Sequence, residues 1–309
     1  MDQYGRYVFR TGITGFIAFL LFICAAFYPL YAQEREETQL WQKANAFIIQ
    51  AKWKQAISSY QELLIKFPKT RYVEARFWIG YSNLELKKFD QGIKDLQEFA
   101  EKNPGNEYAP QAIFKVGETW ENHYKQYEKA IVAYGRIARQ YPGSPASVPA
   151  YQNQAMIYQE KKKDYKKAEE ALEESRNSAM SQGMDPGNAY VSRANERIRF
   201  IKDNSDYDYK PLSLFTDAIN LEQDKRWNEA AGIYQALLDK YPKANITDDA
   251  MYRRIICLMN LRLYDKARAE ASKFMKDFPR SPFAQKVRDL IDEAKKRSYD
   301  MRFMPAAYV

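Results

Sequence analysis

The chain has 309 residues, enough for one large domain or two of medium size. Apolar residues make up 46% of it and glycine and proline are sparse, so it can bury a core and is not disordered by composition. The formal net charge of +8 comes from interspersed basic and acidic residues, with no basic stripe carrying stacking aromatics. This pattern argues against nucleic-acid binding and is compatible with an acidic partner or an anionic membrane surface.

The N-terminal segment 1–32 has the composition of a secretory signal. Arg6 and Arg10 precede the apolar run 12–28, and a small residue ends the segment before a charged stretch. We therefore expect export to the periplasm, cleavage at the end of this segment, and no stable membrane span afterwards. Two alternatives stay open: retention of the apolar run as an uncleaved anchor, and lipidation at Cys24, which no small residue precedes.

The remainder of the chain is built from repeated markers. An aromatic residue stands three positions before a small one in six places: Trp53/Ala56, Phe89/Gly92, Tyr127/Ala130, Tyr165/Ala168, Trp227/Ala230 and Tyr264/Ala267. A proline follows five of these small residues by twelve positions, at Pro68, Pro104, Pro142, Pro242 and Pro279. A second small residue precedes five of the aromatics, at Ala44, Gly80, Gly117, Ala155 and Ala218, whereas Ile255 takes that place in the last unit.

These markers predict six antiparallel helix pairs. Two helices cross closely only where small side chains meet, and one pair cannot bury its own apolar face, so the units must stack. Over residues 37–290 the sequence resembles the tetratricopeptide repeat family, which also has tyrosines at the positions of Tyr60, Tyr134 and Tyr234. The resemblance implies an all-α, tetratricopeptide-like helix-pair solenoid, in the long-junction variant common in bacterial envelope proteins.

One irregular step interrupts the repeats between Tyr165 and Trp227. The residues between them predict a loop, an additional helix from Ala189 to Lys202, and a polar linker closed by Pro211. We therefore expect two arms joined at a bend. They comprise residues 37–203, with four helix pairs and a capping helix, and residues 211–296, with two pairs and a capping helix from Pro282 to Arg297. The alternative is one continuous superhelix with a bulge.

The sequence contains few residues suited to catalysis. His123 is its single histidine and stands at a predicted turn, so no pair of histidines is available for acid–base chemistry or zinc. Cys257, the one cysteine outside the signal segment, lies in an apolar run typical of a buried residue. No nucleophile motif or phosphate-binding loop occurs. We expect a non-enzymatic protein without cofactor or metal.

A stripe of aromatic residues is the candidate binding site. Proteins of the resembled family bind partners on the concave face lined by first helices, through a position that falls here on Trp41, Phe77, Phe114, Phe215 and Tyr252, and on Gln152 in the fourth unit. Aromatic residues dominate binding hot spots, so the stripe predicts partner anchors. The alternative is that these side chains only fill the core.

Two functional hypotheses follow, both involving other proteins as partners. In its export signal, length, broken series of six helix pairs and tyrosine-rich basic body, the chain resembles the flagellar coiling proteins of spirochaetes. That resemblance implies a periplasmic sheath component that coats a flagellar filament, contacts its core and sheath proteins, and helps to set its curvature for motility. The alternative is an envelope adaptor similar to the Tol–Pal coordinating protein or to an outer-membrane assembly subunit.

Overall fold

The structure is a computed structural model that describes the backbone of residues 32–303 and the side chains of residues 32–299. The predicted signal segment 1–32 lies outside this range except for its last residue. Residues 304–309 also lie outside it.

The described part of the chain contains fourteen α-helices and no strand. They are α1 (32–49), α2 (Trp53–Lys66), α3 (Ala75–Glu85), α4 (Phe89–Lys102), α5 (Tyr108–Asn122), α6 (Tyr127–Gln140), α7 (Ser147–Ile157), α8 (Tyr165–Ser181), α9 (Ala189–Asp203), α10 (Lys210–Gln223), α11 (Trp227–Lys240), α12 (Thr247–Asn260), α13 (Tyr264–Asp277) and α14 (Ala284–Phe303). A π-helical turn, Tyr158–Lys162, follows α7, and a 3₁₀ turn, Asp206–Tyr209, precedes α10. The prediction of an all-α, tetratricopeptide-like helix-pair solenoid is confirmed.

The chain divides into two compact units, Met1–Ala133 and Tyr134–Val309, with the division inside α6. The first unit contains α1 to α5, and the second contains α7 to α14. The predicted arms 37–203 and 211–296 stay a prediction. Within the second unit, one apolar core includes Ile201 and Leu212 on either side of the expected linker.

Small residues lie at the helix contacts, as the spacing predicts. The alanines at these positions are almost completely inaccessible to solvent: Ala44, Ala56, Ala130, Ala155, Ala168, Ala218, Ala230 and Ala267. Gly92 shows why small residues are needed, because a Cβ atom built there would lie 2.4 Å from Leu84 Cδ2 and 3.0 Å from the backbone oxygen of Gly80. The two helices α3 and α4 approach so closely that one added carbon would collide.

The tyrosines of the repeat pattern are buried and hydrogen-bonded. Tyr60, Tyr134 and Tyr234 are fully buried. The Tyr60 hydroxyl donates to Asn45 Oδ1 at 2.6 Å, and Asn153 Nδ2 donates to the Tyr134 hydroxyl at 3.2 Å. Each hydroxyl thus has a partner in a neighbouring helix, which a buried hydroxyl requires.

The aromatic residues that open the second helices differ in burial. Tyr165 and Tyr264 are buried, whereas the other four are half-buried: Trp53, Phe89, Tyr127 and Trp227. Two of the six are therefore buried, and the other four keep part of the ring exposed. At least two of them contact the next helix pair. Phe89, for example, stacks on His123 with ring centroids 4.0 Å apart, and Trp53 meets Tyr81 edge-on at 5.9 Å.

A left-handed residue stands two positions before each of these aromatics. Ala51, Lys87, Lys125, Lys163, Lys225 and Arg262 all have φ between 54° and 61°. A left-handed residue reverses the chain after a helix, a place that glycine usually takes. Lysine and arginine at five of the six places put positive charge at the negative end of the preceding helix dipole.

The irregular region holds the additional helix expected from Ala189 to Lys202, observed as α9. Asn188 begins it, with Oδ1 accepting from the Tyr190 backbone N–H at 2.9 Å. Arg197 anchors it to the π-helical turn by donating to Gln159 Oε1 at 2.7 Å. Burial lowers the pKa of Arg197. Pro211 does not close a linker but lies in the first turn of α10. Proline is tolerated there because the backbone N–H that it lacks has no partner within the helix at that position.

Candidate functional site

The five stripe residues occupy different depths. Phe77 and Phe215 are buried, with 4% and 7% of their surface exposed. Trp41, Phe114 and Tyr252 are half-buried and keep part of each ring at the surface. Core filling therefore accounts for two of the five side chains, and for the other three a role as partner anchors stays a prediction.

In the first unit, Phe77 supports a cluster of half-buried aromatic rings, Trp78, Tyr81 and Tyr108. Its centroid lies 5.1 Å from that of Trp78 and 4.9 Å from that of Tyr108. Trp78 also meets Tyr108 at 5.8 Å. Rings at these separations attract one another, so the cluster offers a pre-organised apolar surface.

Trp41 lies near the start of the first unit, where it belongs to a second group of aromatic rings. Its ring stacks on Tyr72 with a centroid distance of 4.7 Å and an interplanar angle of 4°. The guanidinium of Arg71 lies 5.0 Å from the centroid of Tyr72. The stack joins α1 to the segment before α3 and fixes the orientation of Trp41.

In the second unit, two stripe residues meet in one cavity. Phe215 from α10 and Tyr252 from α12 line a cavity of about 310 Å³ together with Phe200, Ile256 and Phe283. Tyr252 stacks on Phe283 with centroids 4.6 Å apart and planes inclined by 11°. We call this the C-terminal cavity. Its volume suits one or two side chains of a partner and is at the lower end for a small-molecule pocket.

Three charged side chains also line the C-terminal cavity: Asp249, Arg253 and Lys286. Burial and the neighbouring Asp248 raise the pKa of Asp249 to about 6, against the opposing effect of Arg253. The Lys286 ammonium lies 5.9 Å from the centroid of Phe283. The cavity thus combines an aromatic floor with charges of both signs at its rim.

A largely buried carboxylate holds the helices behind the cavity together. Glu222 of α10 accepts from the Tyr234 hydroxyl of α11, and its other oxygen accepts from Arg253 Nη1 at 3.3 Å. Burial and Glu222 raise the pKa of the Cys257 thiol to about 12, so Cys257 stays protonated and takes the buried role expected of it. This network fixes the position of α12 and therefore of Tyr252.

Sequence reasoning missed two walls of the C-terminal cavity. Phe200 lies on the additional helix α9 and Phe283 lies just before α14, both outside the register used to trace the stripe. The junction that contains Phe278 and, five residues later, Phe283 is similar in sequence to the junction that contains Tyr72. Because Tyr72 stacks on Trp41, this similarity could have indicated that Phe283 stacks on Tyr252.

A larger hollow of about 950 Å³ lies in the first unit, away from the stripe residues. Five of the polar residues that line it bind one another: Asn83 Nδ2 donates to Asp95 Oδ2 at 2.8 Å, Gln91 Nε2 donates to Asp95 Oδ1 at 2.6 Å, and the Tyr124 hydroxyl donates to Asp90. These groups are satisfied without a ligand, so the hollow is a weaker candidate than the aromatic surfaces.

Within the described residues, no group of three or more histidine, cysteine or acidic side chains could hold a metal ion. His123 is exposed and stacks on Phe89. No helix among the same residues is both long and apolar enough to cross a membrane.

Comparison with known proteins identifies the repeat. The tetratricopeptide repeat family matches four segments, which coincide with four of the six predicted units: 74–106, 111–144, 218–244 and 249–281. No sequence among the curated proteins compared matches the chain.

Solved structures that are similar to the chain share low sequence identity with it. A repeat protein from Parabacteroides merdae is 10% identical, covering 84% of this chain and 99% of its own, with a TM-score of 0.47. The apo form of RapI is 11% identical, covering 86% and 99%, with a TM-score of 0.44. The TPR2AB domain of yeast Sti1, in a complex with pHSP90, is 12% identical, covering 85% and 99%, with a TM-score of 0.37.

Proposed function

Because the chain is a tetratricopeptide-like protein, we propose that it is a non-enzymatic scaffold that binds other proteins through the aromatic surfaces of its helix pairs. Each helix pair of such an array presents side chains on a rigid support, which limits the entropy lost when a partner binds. The fold is typical of scaffolds rather than of enzymes.

The C-terminal cavity is the observation that carries this proposal. Its aromatic walls are held in place by the Tyr252–Phe283 stack and by the Glu222 network behind α12. A partner side chain that enters it would be desolvated on several sides, which is the setting of a binding hot spot. We expect the occupant to be an aromatic or large aliphatic side chain of a partner protein.

We further propose that the chain acts in the periplasm, as a sheath component of a periplasmic flagellar filament that helps to set filament curvature. The pattern of basic residues, apolar run and small residue in segment 1–32 supports export. The series of six helix pairs, interrupted after the fourth pair, supports the flagellar role through the resemblance described above. An envelope adaptor is the second candidate, favoured by the long aromatic-Pro junctions of the repeats.

Replacing Tyr252 tests the cavity. Tyr252→Ala removes the ring that stacks on Phe283, and we expect binding of the protein partner to weaken about tenfold, the loss typical of a hot-spot residue. Tyr252→Phe keeps the ring and should retain most of the binding. Tyr190→Ala, a partly exposed tyrosine on α9 away from the cavity, is the matched control. The measurement is the amount of chain that sediments with filaments isolated from its native cells.

Cell fractionation separates the two candidates. A sheath component co-purifies with filaments at high copy number, whereas an adaptor appears with envelope complexes at low copy number. Recovery of the chain alone in the soluble periplasmic fraction would overturn the sheath role. Recovery in the cytoplasm would overturn export. Equal sedimentation of Tyr252→Ala and wild type would overturn the role of the cavity.

A further inference from the structure

A second hollow in the Tyr134–Val309 unit lies where its two irregular segments meet. It has a volume of about 420 Å³ and is lined by lysines, two tyrosine rings and a serine: Lys162, Lys163, Lys166, Lys210, Tyr165, Tyr209 and Ser213. Asp164 and Asp208 also reach its wall. We call it the basic hollow. It shares no lining residue with the C-terminal cavity.

Two departures from regular repeat geometry build the basic hollow. On one side, the π-helical turn Tyr158–Lys162 departs from the regular repeat. Together with the left-handed Lys163, with φ 54°, it places Lys162 and Lys163 directly ahead of α8, whose second residue is Lys166. On the other side, Tyr207, Asp208 and Tyr209 are all left-handed and lead into α10. Tyr165 and Tyr209 stack between the two segments with centroids 5.3 Å apart. Residues distant in sequence thereby face one space.

The tyrosine pair makes this arrangement rigid. Tyr165 is buried, and its hydroxyl lies 3.0 Å from Thr216 Oγ1 on α10. The contact ties the start of α8 to α10 across the hollow. The backbone positions of the lysines on either side are consequently fixed before any ligand arrives, which reduces the entropic cost of binding.

Some lysines of this region already have acidic partners. Lys163 Nζ lies 2.6 Å from Asp217 Oδ2, and Lys167 Nζ lies 3.1 Å from Asp164 Oδ2. Lys166 and Lys210 differ, because both are exposed and neither forms an ion pair or side-chain hydrogen bond with any residue whose side chain the structure describes. Their two positive charges face the same hollow from different helices.

We propose that the basic hollow binds a carboxylate-rich segment of a partner protein, with Lys166 and Lys210 each taking one carboxylate. The inference rests on the proposed scaffold function and names the chemistry of a second contact point. The half-buried ring of Tyr209 and the Ser213 hydroxyl receive the backbone and the apolar stems of the acidic side chains.

The composition of the hollow favours carboxylates over other anions. Phosphate groups are recognised best by the planar fork of arginine, and no arginine lines the hollow. Asp164 and Asp208 in its wall would repel a doubly charged phosphate more than a single carboxylate. An anionic membrane surface calls for an open cluster of several basic residues, whereas here two unpaired lysines flank a concave space.

Charge reversal tests the proposal with the full chain and a fluorescent oligoglutamate peptide as the probe. We expect Lys166→Glu combined with Lys210→Glu to weaken peptide binding about tenfold or more, because two attractions become two repulsions. The matched control is Lys243→Glu with Lys273→Glu, two exposed lysines of the same unit that give the same net charge. The control should change binding less than about threefold.

Further variants and probes sharpen the outcome. Lys166→Gln with Lys210→Gln should give an intermediate loss, and circular dichroism checks that every variant is folded. If Lys243→Glu with Lys273→Glu weakens peptide binding as much as the charge reversal in the hollow does, net charge rather than the basic hollow governs binding and the proposal is overturned. Binding of inorganic polyphosphate or phosphatidylglycerol vesicles that depends on both lysines, without oligoglutamate binding, would overturn the ligand class.

The test distinguishes this inference from the proposed function. Tyr252→Ala should leave oligoglutamate binding unchanged, since Tyr252 does not line the basic hollow. If the wild-type chain fails to bind oligoglutamate while Tyr252→Ala still reduces sedimentation with filaments, the inference fails and the scaffold function stands.

Discussion

Glycine at position 92 illustrates how single residues set the helix spacing. Its missing side chain lets α4 approach α3, where a Cβ atom would meet Leu84 and the Gly80 carbonyl. Gly232 lies in α11, the corresponding second helix of another repeat, and a Cβ atom there would meet nothing within 4 Å. The same residue type therefore has a packing role at one place and none at the other.

We predict opposite effects of alanine at these two glycines. Gly92→Ala should lower the free energy of unfolding by about 1–2 kcal/mol, because the collision exceeds the gain in helix propensity. Gly232→Ala should raise it by about 0.5–1 kcal/mol through propensity alone. Urea denaturation followed by circular dichroism measures both. A stabilising Gly92→Ala would contradict the close helix contact.

Asp249 should make stability depend on pH. Its folded-state pKa of about 6 lies above the ordinary value, so the protonated form is favoured in the folded chain and stability is lost as pH rises through about 6. Asp249→Asn removes that loss. We expect it to stabilise the protein by about 1 kcal/mol at pH 7.5, a value reduced for partial solvent exposure, and to have little effect at pH 4.

The exposed Asp292 on α14 provides the control for this measurement. Asp292→Asn should change stability by a smaller amount. A stabilisation by Asp249→Asn that is equal at pH 4 and pH 7.5 would exclude a contribution from ionisation of the carboxylate.

The sequence could not predict how deeply each of the stripe residues is buried. The resemblance to the repeat family implied that Phe77, Phe215 and Tyr252 occupy partner-facing positions, and Phe215 and Tyr252 do meet in one cavity. It could not show that Phe77 and Phe215 would be buried, because burial depends on the neighbouring rings Phe99 and Phe200, which come from other helices. The small residues were predictable because close helix crossing leaves few alternatives.

At the scale of elements, regular helices were easier to predict than their junctions. Each second helix begins at its marker aromatic, as the spacing predicts. The left-handed residue of each turn gave no signal, because lysine, arginine or alanine occupies the place where glycine would have marked it. The π-helical turn at Tyr158–Lys162 was equally hidden, since its sequence is that of an ordinary helix end.

Glycine at one of these junctions should stabilise the chain. Lys225 has φ 58° and an exposed side chain. Lys225→Gly removes the steric cost of a left-handed residue with a Cβ atom, and we expect a gain of about 0.5–1 kcal/mol after allowing for the added freedom of the unfolded chain. Lys225→Ala keeps the cost and serves as the control. Thermal melting compares the two, and an equal shift in both variants would refute the explanation.

At the scale of the molecule, each unit is held together by contacts between helices that are neighbours in sequence. The pairs α3 and α4, α7 and α8, and α13 and α14 are examples. A repeat array of this kind has stability that is approximately a sum over units and their interfaces. Local destabilisation should therefore remain local.

Hydrogen exchange can detect this locality. We expect Gly92→Ala to raise amide exchange rates in α3 and α4 by about five- to thirtyfold, the factor that corresponds to 1–2 kcal/mol, and to change α11 to α14 little. Mass spectrometry of peptic fragments resolves these segments. Uniform acceleration over the described helices would show that the chain unfolds as one cooperative body.

The neighbour-to-neighbour contacts also govern how the chain acquires its structure. Helix pairs close over short stretches of sequence, so the entropic cost of bringing distant segments together is small and folding is fast. A chain that emerges gradually from one end can fold one helix pair after another, with each new pair packing against the pair that has already folded. Such a protein needs neither its last residues nor a covalent crosslink before its first repeats take shape.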